Sequence, residues 1–274
     1  WLKPSWQIGS DGYGYYSYLR SWAFDNNFNF SNEYQQFDQL YHANMSLNIT
    51  PVNKTGNYFA IGSSILWTPF FLIGQTLNQL WPAPDEYQLP GFNYPYQIAI
   101  SLGTIIYFFL GLSFLYLSLK KFFSNNLAFW ITSVIWLASP LAYYLIYEPS
   151  MSHALSFFAV NGLFYNFCKY HKETSGKALI IMGLWLGLAM LIYWQNLLFI
   201  VLPLYLIFRN SFTWGEKFKL LAYLGITVFI IFLPQLLMWH HLYGSYLTNP
   251  QGNNFFNLAN PHLGKYLFSG YHGL

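Results

Sequence analysis

Long apolar runs alternate with polar segments along this chain. Residues 1–58 are polar, aromatic and rich in asparagine, and residues 244–274 are polar again. Between them lie apolar runs at about 59–80, 97–119, 127–147, 152–168, 178–208 and 219–243. A helix needs roughly 20 apolar residues to cross the hydrocarbon core of a bilayer. The runs therefore predict a set of transmembrane helices, with 152–168 at the lower limit of length.

The composition supports the same interpretation. Hydrophobic residues make up 55% of the 274 residues and charged residues only 8%, whereas a soluble domain carries about 25% charged residues. We therefore predict an all-α polytopic membrane protein of one domain, a transmembrane helical bundle with external loops. The net charge of +3 is too small to indicate a nucleic-acid partner, and the single cysteine, Cys168, excludes an internal disulfide framework.

Lysine and arginine set the predicted orientation, because they concentrate in cytoplasmic loops. Eight of the twelve basic residues lie in the loops after the second, fourth and fifth runs: Lys120, Lys121, Lys169, Lys172, Lys177, Arg209, Lys217 and Lys219. All three loops should be cytoplasmic. Because the run 178–208 has positive charge at both ends, we expect it to cross twice, as a hairpin that turns near residues 193–196.

With the basic loops in the cytoplasm, the remaining polar segments are predicted to lie on the external face. We interpret 59–80 as an interfacial or re-entrant element that is broken at Pro69. Residues 1–58 then form an external first loop, residues 97–243 hold the transmembrane helices, and residues 244–274 form another external loop. The chain begins at Trp1 without an initiator Met, so we expect a segment of a longer protein that lacks at least one upstream helix.

Four stretches of sequence in or beside these external segments resemble those of a known protein family. They are SDGYGYYSYLRSWAFDNNFNFSNEY at 10–34, GNYFAIGSSILWTPFFLIG at 56–74, YEPSMSHALSFF at 147–158 and YGSYLTNPQGNNFFNLANPHLGKYLFSGYHGL at 243–274. Together they resemble bacterial glycosyltransferases of the GT-C superfamily, which includes protein O-mannosyltransferases and aminoarabinose transferases. The resemblance implies transfer of a sugar from a polyprenyl-phosphate donor to a glycan, lipid or protein acceptor. It also implies an active site on the external face of a bacterial inner membrane, in contact with membrane lipid.

The resemblance places Asp11 at the position of the catalytic aspartate in the first external loop. A carboxylate there can act as general base on an acceptor hydroxyl or amine. The alternative is that the Asp11-Gly12 pair only forms a turn. The mannosyltransferase and aminoarabinose branches usually place Glu directly after the Asp, so Gly12 argues against membership in those branches.

Other polar residues are candidates for substrate binding. Those in or after the external loops are Arg20, Asp25, Glu33, Glu148, His153 and Lys265. Arg20 and Lys265 suit a donor phosphate, because guanidinium and ammonium groups form charge-assisted hydrogen bonds to its oxygens. Glu148 and His153 could hold a divalent metal ion, and titratable groups near membrane depth often line a cavity or an ion path. Each could instead be a solvated or headgroup-facing charge.

Three other functions fit an apolar chain of this kind. A transporter or a flippase-like component of envelope polysaccharide export would explain the spans, and so would a scaffold subunit. The third is a lipid-linked-oligosaccharide ligase or polymerase of another fold, but such enzymes usually keep their key residues in a large late external loop. A transporter often contains internal repeats with broken helices near the midplane, and the sequence shows no convincing repeat. The acidic residues also lie in external loops rather than within the spans, which favours the enzyme.

Overall fold

The computed structural model describes residues 6–82 and 89–251, and these residues are predominantly helical. They contain no β-strand, only an isolated bridge between Ile49 and Thr55. The helices are α1 Ser10–Arg20, α2 Ser31–Tyr41, α3 Gly62–Leu80, α4 Tyr94–Leu119, α5 Asn125–Leu137, α6 Leu141–Ile146, α7 His153–Tyr170, α8 Gly176–Ile192, α9 Val201–Arg209 and α10 Trp214–Tyr243. A π-helical turn, Ser21–Asp25, continues α1, and a 3-10 helix, Trp194–Ile200, leads into α9.

The bundle is formed by four helices, each packed along the next: α4, α7, α8 and α10. Small residues allow close contacts between them. A Cβ added at Gly162 of α7 would lie 2.3 Å from the Trp185 ring of α8, and one added at Gly183 of α8 would lie 2.9 Å from Thr227 of α10. Small residues at helix contacts are typical of membrane bundles, where van der Waals packing drives association.

The outer surface of the bundle is apolar. Helices α4 and α10 are both long and apolar enough to cross a membrane, and the shorter helical segments Gly176–Ile192 and Trp194–Arg209 are also apolar. Large side chains such as Phe109 on α4 and Phe229 on α10 are about half exposed. A surface of this kind is stable against lipid rather than water. The prediction of an all-α membrane protein is confirmed.

The basic loops meet at one end of the bundle, which we call the basic end. Lys121 after α4 lies 5.3 Å from the Tyr165 ring near the end of α7. The Asn210 side chain after α9 donates a 3.2 Å hydrogen bond to Thr174, just before α8. The chain between them therefore doubles back with its break at Tyr193, which agrees with the predicted hairpin.

The polar first segment, residues 6–58, lies at the opposite end, which we call the polar end. The backbone N–H of Ile8 donates to Gln97 Oε1 in the first turn of α4, at 2.7 Å. Ser152, directly before α7, donates a 2.9 Å hydrogen bond to the hydroxyl of Tyr15. The first segment is thus fixed to the starts of two bundle helices.

The apolar run at 127–147 is not one helix. It forms α5 and α6, separated at Ala138–Pro140. Proline has no N–H to donate and disfavours helical geometry in the residue before it. The helix therefore ends before Pro140 and restarts after it, and the Ser139 hydroxyl accepts the Leu141 N–H at 3.3 Å.

The predicted break at Pro69 is wrong, because α3 runs through this residue without interruption. The Thr68 hydroxyl donates to the Ser64 carbonyl at 3.0 Å, a bond of the kind that supports proline within apolar helices. Both ends of α3 lie near the polar end: Gly62 at its start contacts the backbone of Leu191 at the end of α8, and Asn78 in its last turn accepts a 2.9 Å hydrogen bond from the Asn93 amide directly before α4. Its position relative to a membrane stays a prediction.

Candidate functional site

Asp11 lies in the first turn of α1, at the surface of the polar end. The positive end of the helix dipole favours a carboxylate at this position. The same helix presents four tyrosines to the protein interior, Tyr13, Tyr15, Tyr16 and Tyr18, which are at most 4% exposed. Buried tyrosine rings thus surround α1 beyond its first turn and leave Asp11 at its exposed beginning.

Gly12 brings the start of α1 against the turn before α7. A Cβ at this position would lie 2.2 Å from the Ser150 hydroxyl oxygen and 2.9 Å from the Ser150 carbonyl oxygen. No larger residue fits without displacing one of the two segments. The contact places Asp11 beside the turn that carries Glu148.

Side chains around α1 hold this arrangement in place. The buried Asn57 amide donates to the Gly14 carbonyl at 2.9 Å, and its oxygen accepts the Phe59 N–H at 3.1 Å. The Tyr18 hydroxyl donates to the Phe59 carbonyl at 2.8 Å. Because these bonds are buried, they fix the helix that carries Asp11 more firmly than solvated bonds would.

Asp11, Glu148 and His153 form one electrostatic group. Burial raises the pKa of the Asp11 carboxyl, the charge of His153 lowers it, and that of Glu148 raises it further. The Tyr58 hydroxyl belongs to the same surroundings, since burial and then the Asp11 charge raise its pKa. A raised pKa makes an aspartate a stronger base, provided that it remains ionised at the working pH.

Glu148 and His153 are each held by a tyrosine of α6. Tyr143 donates a 3.1 Å hydrogen bond to Glu148 Oε1, and the Tyr144 ring lies 4.1 Å from the imidazole of His153. Both residues are partly exposed. The structure thus brings Asp11 of the first segment together with Glu148 and His153, which lie close to each other but in a distant part of the sequence. Within residues 6–82 and 89–251, no group of three or more His, Cys, Asp or Glu is placed to hold a metal ion, and metal binding by Glu148 and His153 stays a prediction.

Arg20, Asp25 and Glu33 form a second group, the Arg20 cluster. Arg20 Nη1 forms ion pairs with Asp25 Oδ2 and with Glu33 Oε1, the latter at 2.9 Å. Its Nε donates to the Pro90 carbonyl at 3.1 Å. The side chain of Arg20 is 2% exposed and that of Glu33 is fully buried. The cluster ties α1 to α2 and to the segment before α4.

The Arg20 cluster contains two carboxylates and one guanidinium. Burial raises the pKa of Glu33 to about 7, although the hydrogen bond and charge of Arg20 oppose this rise. One arginine cannot neutralise two carboxylates, and Glu33 is the fully buried one, so a proton on Glu33 relieves the excess charge. Substrate roles for these three residues stay predictions, and in this structure the guanidinium faces protein acceptors rather than an open cavity.

Sequence reasoning missed two tyrosines around Asp11, Tyr15 and Tyr58. The chain contains 24 tyrosines, and interfacial belts explain most of them equally well, so no single one stood out. Lys265, the other predicted phosphate ligand, lies outside the described residues.

We expect Gly12→Ala to destabilise the site. The added methyl group meets Ser150, and overpacking of this kind typically costs about 1–3 kcal/mol. Thermal unfolding in detergent should show a lower midpoint than for Gly225→Ala, whose added Cβ has open space around it. Removing the Ser150 side chain as well, in Gly12→Ala/Ser150→Gly, should restore part of the loss. Equal midpoints for the two single variants would show that the contact is not tight.

A comparison with protein families matches one of them. Residues 92–239, more than half of the chain, match the family described as dolichyl-phosphate-mannose-protein mannosyltransferase. The matched region includes Glu148 and His153 and begins after Asp11 and the Arg20 cluster. Neither the curated proteins nor the solved structures that were compared contain a match to the chain.

Proposed function

Because this chain belongs to the dolichyl-phosphate-mannose-protein mannosyltransferase family, we propose that it transfers a sugar from a polyprenyl-phosphate carrier to an acceptor outside the membrane. The family is one of membrane glycosyltransferases of GT-C type. Gly12 was expected to argue against the mannosyltransferase branch, and the family match overrules that argument. The sugar, carrier and acceptor classes remain part of the proposal.

The observation that carries the proposal is the position of Asp11. Its carboxylate, with a raised pKa, lies beside His153 and Glu148 at the end of the bundle opposite the basic loops. Because lysine- and arginine-rich loops are generally cytoplasmic, the polar end would face outward. α3 would then lie near the external interface, since both of its ends are at this side.

The chemistry follows from the donor. Asp11 accepts the proton of an acceptor hydroxyl or amine while the acceptor atom bonds to the anomeric carbon of the sugar. The bond from that carbon to the phosphate oxygen breaks, and the electron pair leaves with the lipid phosphate. A ring N–H of His153 can donate a hydrogen bond to a phosphate oxygen, while Glu148 and the tyrosines can form hydrogen bonds with sugar hydroxyls. No nucleotide-binding domain is required.

A donor comparison tests this proposal. Membranes containing the protein receive the same radiolabelled sugar either as a polyprenyl-phosphate ester or as a nucleotide sugar, with membranes lacking the protein as control. We expect labelled product only from the lipid donor. Transfer from the nucleotide sugar in the absence of lipid carrier would overturn the donor class. No transfer across a broad sugar panel would instead favour a transporter or flippase-like export component.

A further inference from the structure

A polar cavity lies between the first segment and the end of α10. Its volume is about 640 Å³, and we call it the Lys54 pocket. The residues that matter for its chemistry are Asn26, Asn27, Asn29, Asn53, Lys54 and His241. Among the described residues that line it, none carries a negative charge. The pocket therefore offers amide groups and a cation without a carboxylate.

Lys54 supplies the charge. Its ammonium lies 3.0 Å from Nε2 and 3.1 Å from Nδ1 of His241, at the end of α10. An imidazole has at most one acceptor nitrogen, so His241 accepts at most one ammonium proton. An ammonium group has three N–H donors. Two ammonium N–H groups of Lys54 remain for another acceptor, and a ligand in the pocket can accept from them.

The walls of the pocket are held rigidly. The turn before Lys54 is closed by hydrogen bonds from Thr50 N–H to the Lys54 carbonyl at 2.8 Å and from Asn53 N–H to the Thr50 carbonyl at 2.9 Å. On the opposite wall, Asn27 Oδ1 accepts the Asn29 N–H at 2.8 Å. Asn26 and Asn53 both have left-handed backbone conformations, with φ of 53° and 58°. Such conformations persist where the surrounding structure enforces them, often at ligand sites.

The Asn26 wall of the pocket is too far from Asp11 to hold the phosphate of the donor. Asp11 and Asn26 stand at opposite ends of the continuous helical segment formed by α1 and the π-helical turn. Fifteen residues at about 1.5 Å each separate them by about 20 Å. The leaving phosphate is bonded to the reacting carbon, so it must lie within a few ångströms of the base that serves this carbon. The Asn26 wall of the Lys54 pocket is therefore out of reach of that phosphate, and the group bound against this wall is a different one.

We propose that the Lys54 pocket binds a negatively charged sugar unit of the acceptor, remote from the unit that is glycosylated. The amides match sugar hydroxyls, the Phe28 ring offers an apolar face, and Lys54 pairs with a phosphate or carboxylate substituent. The inference rests on the proposed function, because only a transferase needs an acceptor. It deepens that function by naming an anionic glycan as the acceptor class.

Direct binding tests the pocket independently of transfer. The purified protein in detergent is titrated with mannose 6-phosphate, glucuronic acid, unmodified mannose and inorganic phosphate by calorimetry. We expect the charged sugars to bind at least about tenfold more tightly than unmodified mannose, because one charge-assisted hydrogen bond is worth about that factor. Lys54→Ala should remove this preference, and His241→Gln should weaken binding of the charged sugars. Lys172→Ala, a change of an exposed lysine at the basic end, should leave binding unchanged.

The outcomes separate this proposal from the proposed function. Equal binding of charged and neutral sugars, or an unchanged preference in Lys54→Ala, would overturn the pocket and leave the transfer reaction standing. Inorganic phosphate that binds as tightly as mannose 6-phosphate would also overturn it, since it would show a simple anion site rather than a sugar site. Asp11→Asn should retain the binding, and loss of binding in that variant would contradict the separation of the two sites.

Discussion

Asp11→Asn lowers sugar transfer by about 10²–10⁴-fold if Asp11 is the general base, because a positioned base contributes about that factor. The amide retains the size of the carboxylate but cannot accept the acceptor proton. Asp11 lies at the exposed start of α1 and forms none of the buried bonds that fix this helix. The loss should therefore occur in a normally inserted protein with an unchanged unfolding temperature.

The measurement is initial transfer rate from a polyprenyl-phosphate sugar, normalised to the amount of inserted protein. Glu173→Gln is the matched control, since Glu173 is exposed in a loop at the basic end.

The rate of the parent protein should also fall towards acid pH. The fall should start above pH 3.8, the ordinary pKa of an aspartate, because burial raises the pKa of Asp11 and only the ionised form accepts a proton. Full activity of Asp11→Asn would move the chemistry to another carboxylate, either Glu148 in the turn before α7 or Asp25 and Glu33 of the first segment.

Arg20→Met should destabilise the protein by about 3–5 kcal/mol, the usual cost of removing one partner from a buried ion pair. The change leaves Asp25 and the fully buried Glu33 without their shared guanidinium. It also removes the hydrogen bond to the Pro90 carbonyl, so α1 loses a tether to the segment before α4. The hydrogen bond and charge of Arg20 lower the pKa of Glu33, so their removal raises this pKa further, and protonation of Glu33 recovers part of the loss as the pH falls.

Thermal unfolding in detergent, followed at pH 6 and pH 8, measures this effect. Arg209→Met is the control, because Arg209 is exposed at the end of α9. Arg20→Lys should fall between the parent and Arg20→Met, since lysine keeps the charge but cannot reproduce the fork of the guanidinium. A loss in Arg20→Met no larger than in Arg209→Met would show that the cluster contributes little to folding. A large loss of transfer with unchanged stability would instead support a substrate role for Arg20.

The sequence predicted the features whose signal is summed over many residues. Apolar runs located the helices of the bundle, and the positions of Lys and Arg predicted the doubling back of 178–208. Both signals are summed over many residues, so a local error changes little. The grouping of Asp11, Glu148 and His153 followed from the same argument, because it assigned their segments to one end of the bundle.

Local helix breaks and specific side-chain contacts could not be predicted from the sequence. Pro69 and Pro140 look alike in the sequence, but a helix continues through one and ends at the other, and neighbouring hydrogen bonds decide the difference. The pairing of Arg20 with Glu33 depends on how α2 packs against α1. Gly12 was recognised only as a departure from a family pattern, and its contact with Ser150 needs the folded arrangement to be seen.

That contact also limits how this enzyme can change during evolution. A lineage that gained the acidic pair usual in related branches would need Glu at position 12, and this side chain has no room beside Ser150. The backbone carbonyl of Ser150 obstructs it as well, so a smaller residue at position 150 is not sufficient. The turn before α7 would have to move first, and homologues with a side chain at position 12 should therefore differ in the length or backbone path of that turn.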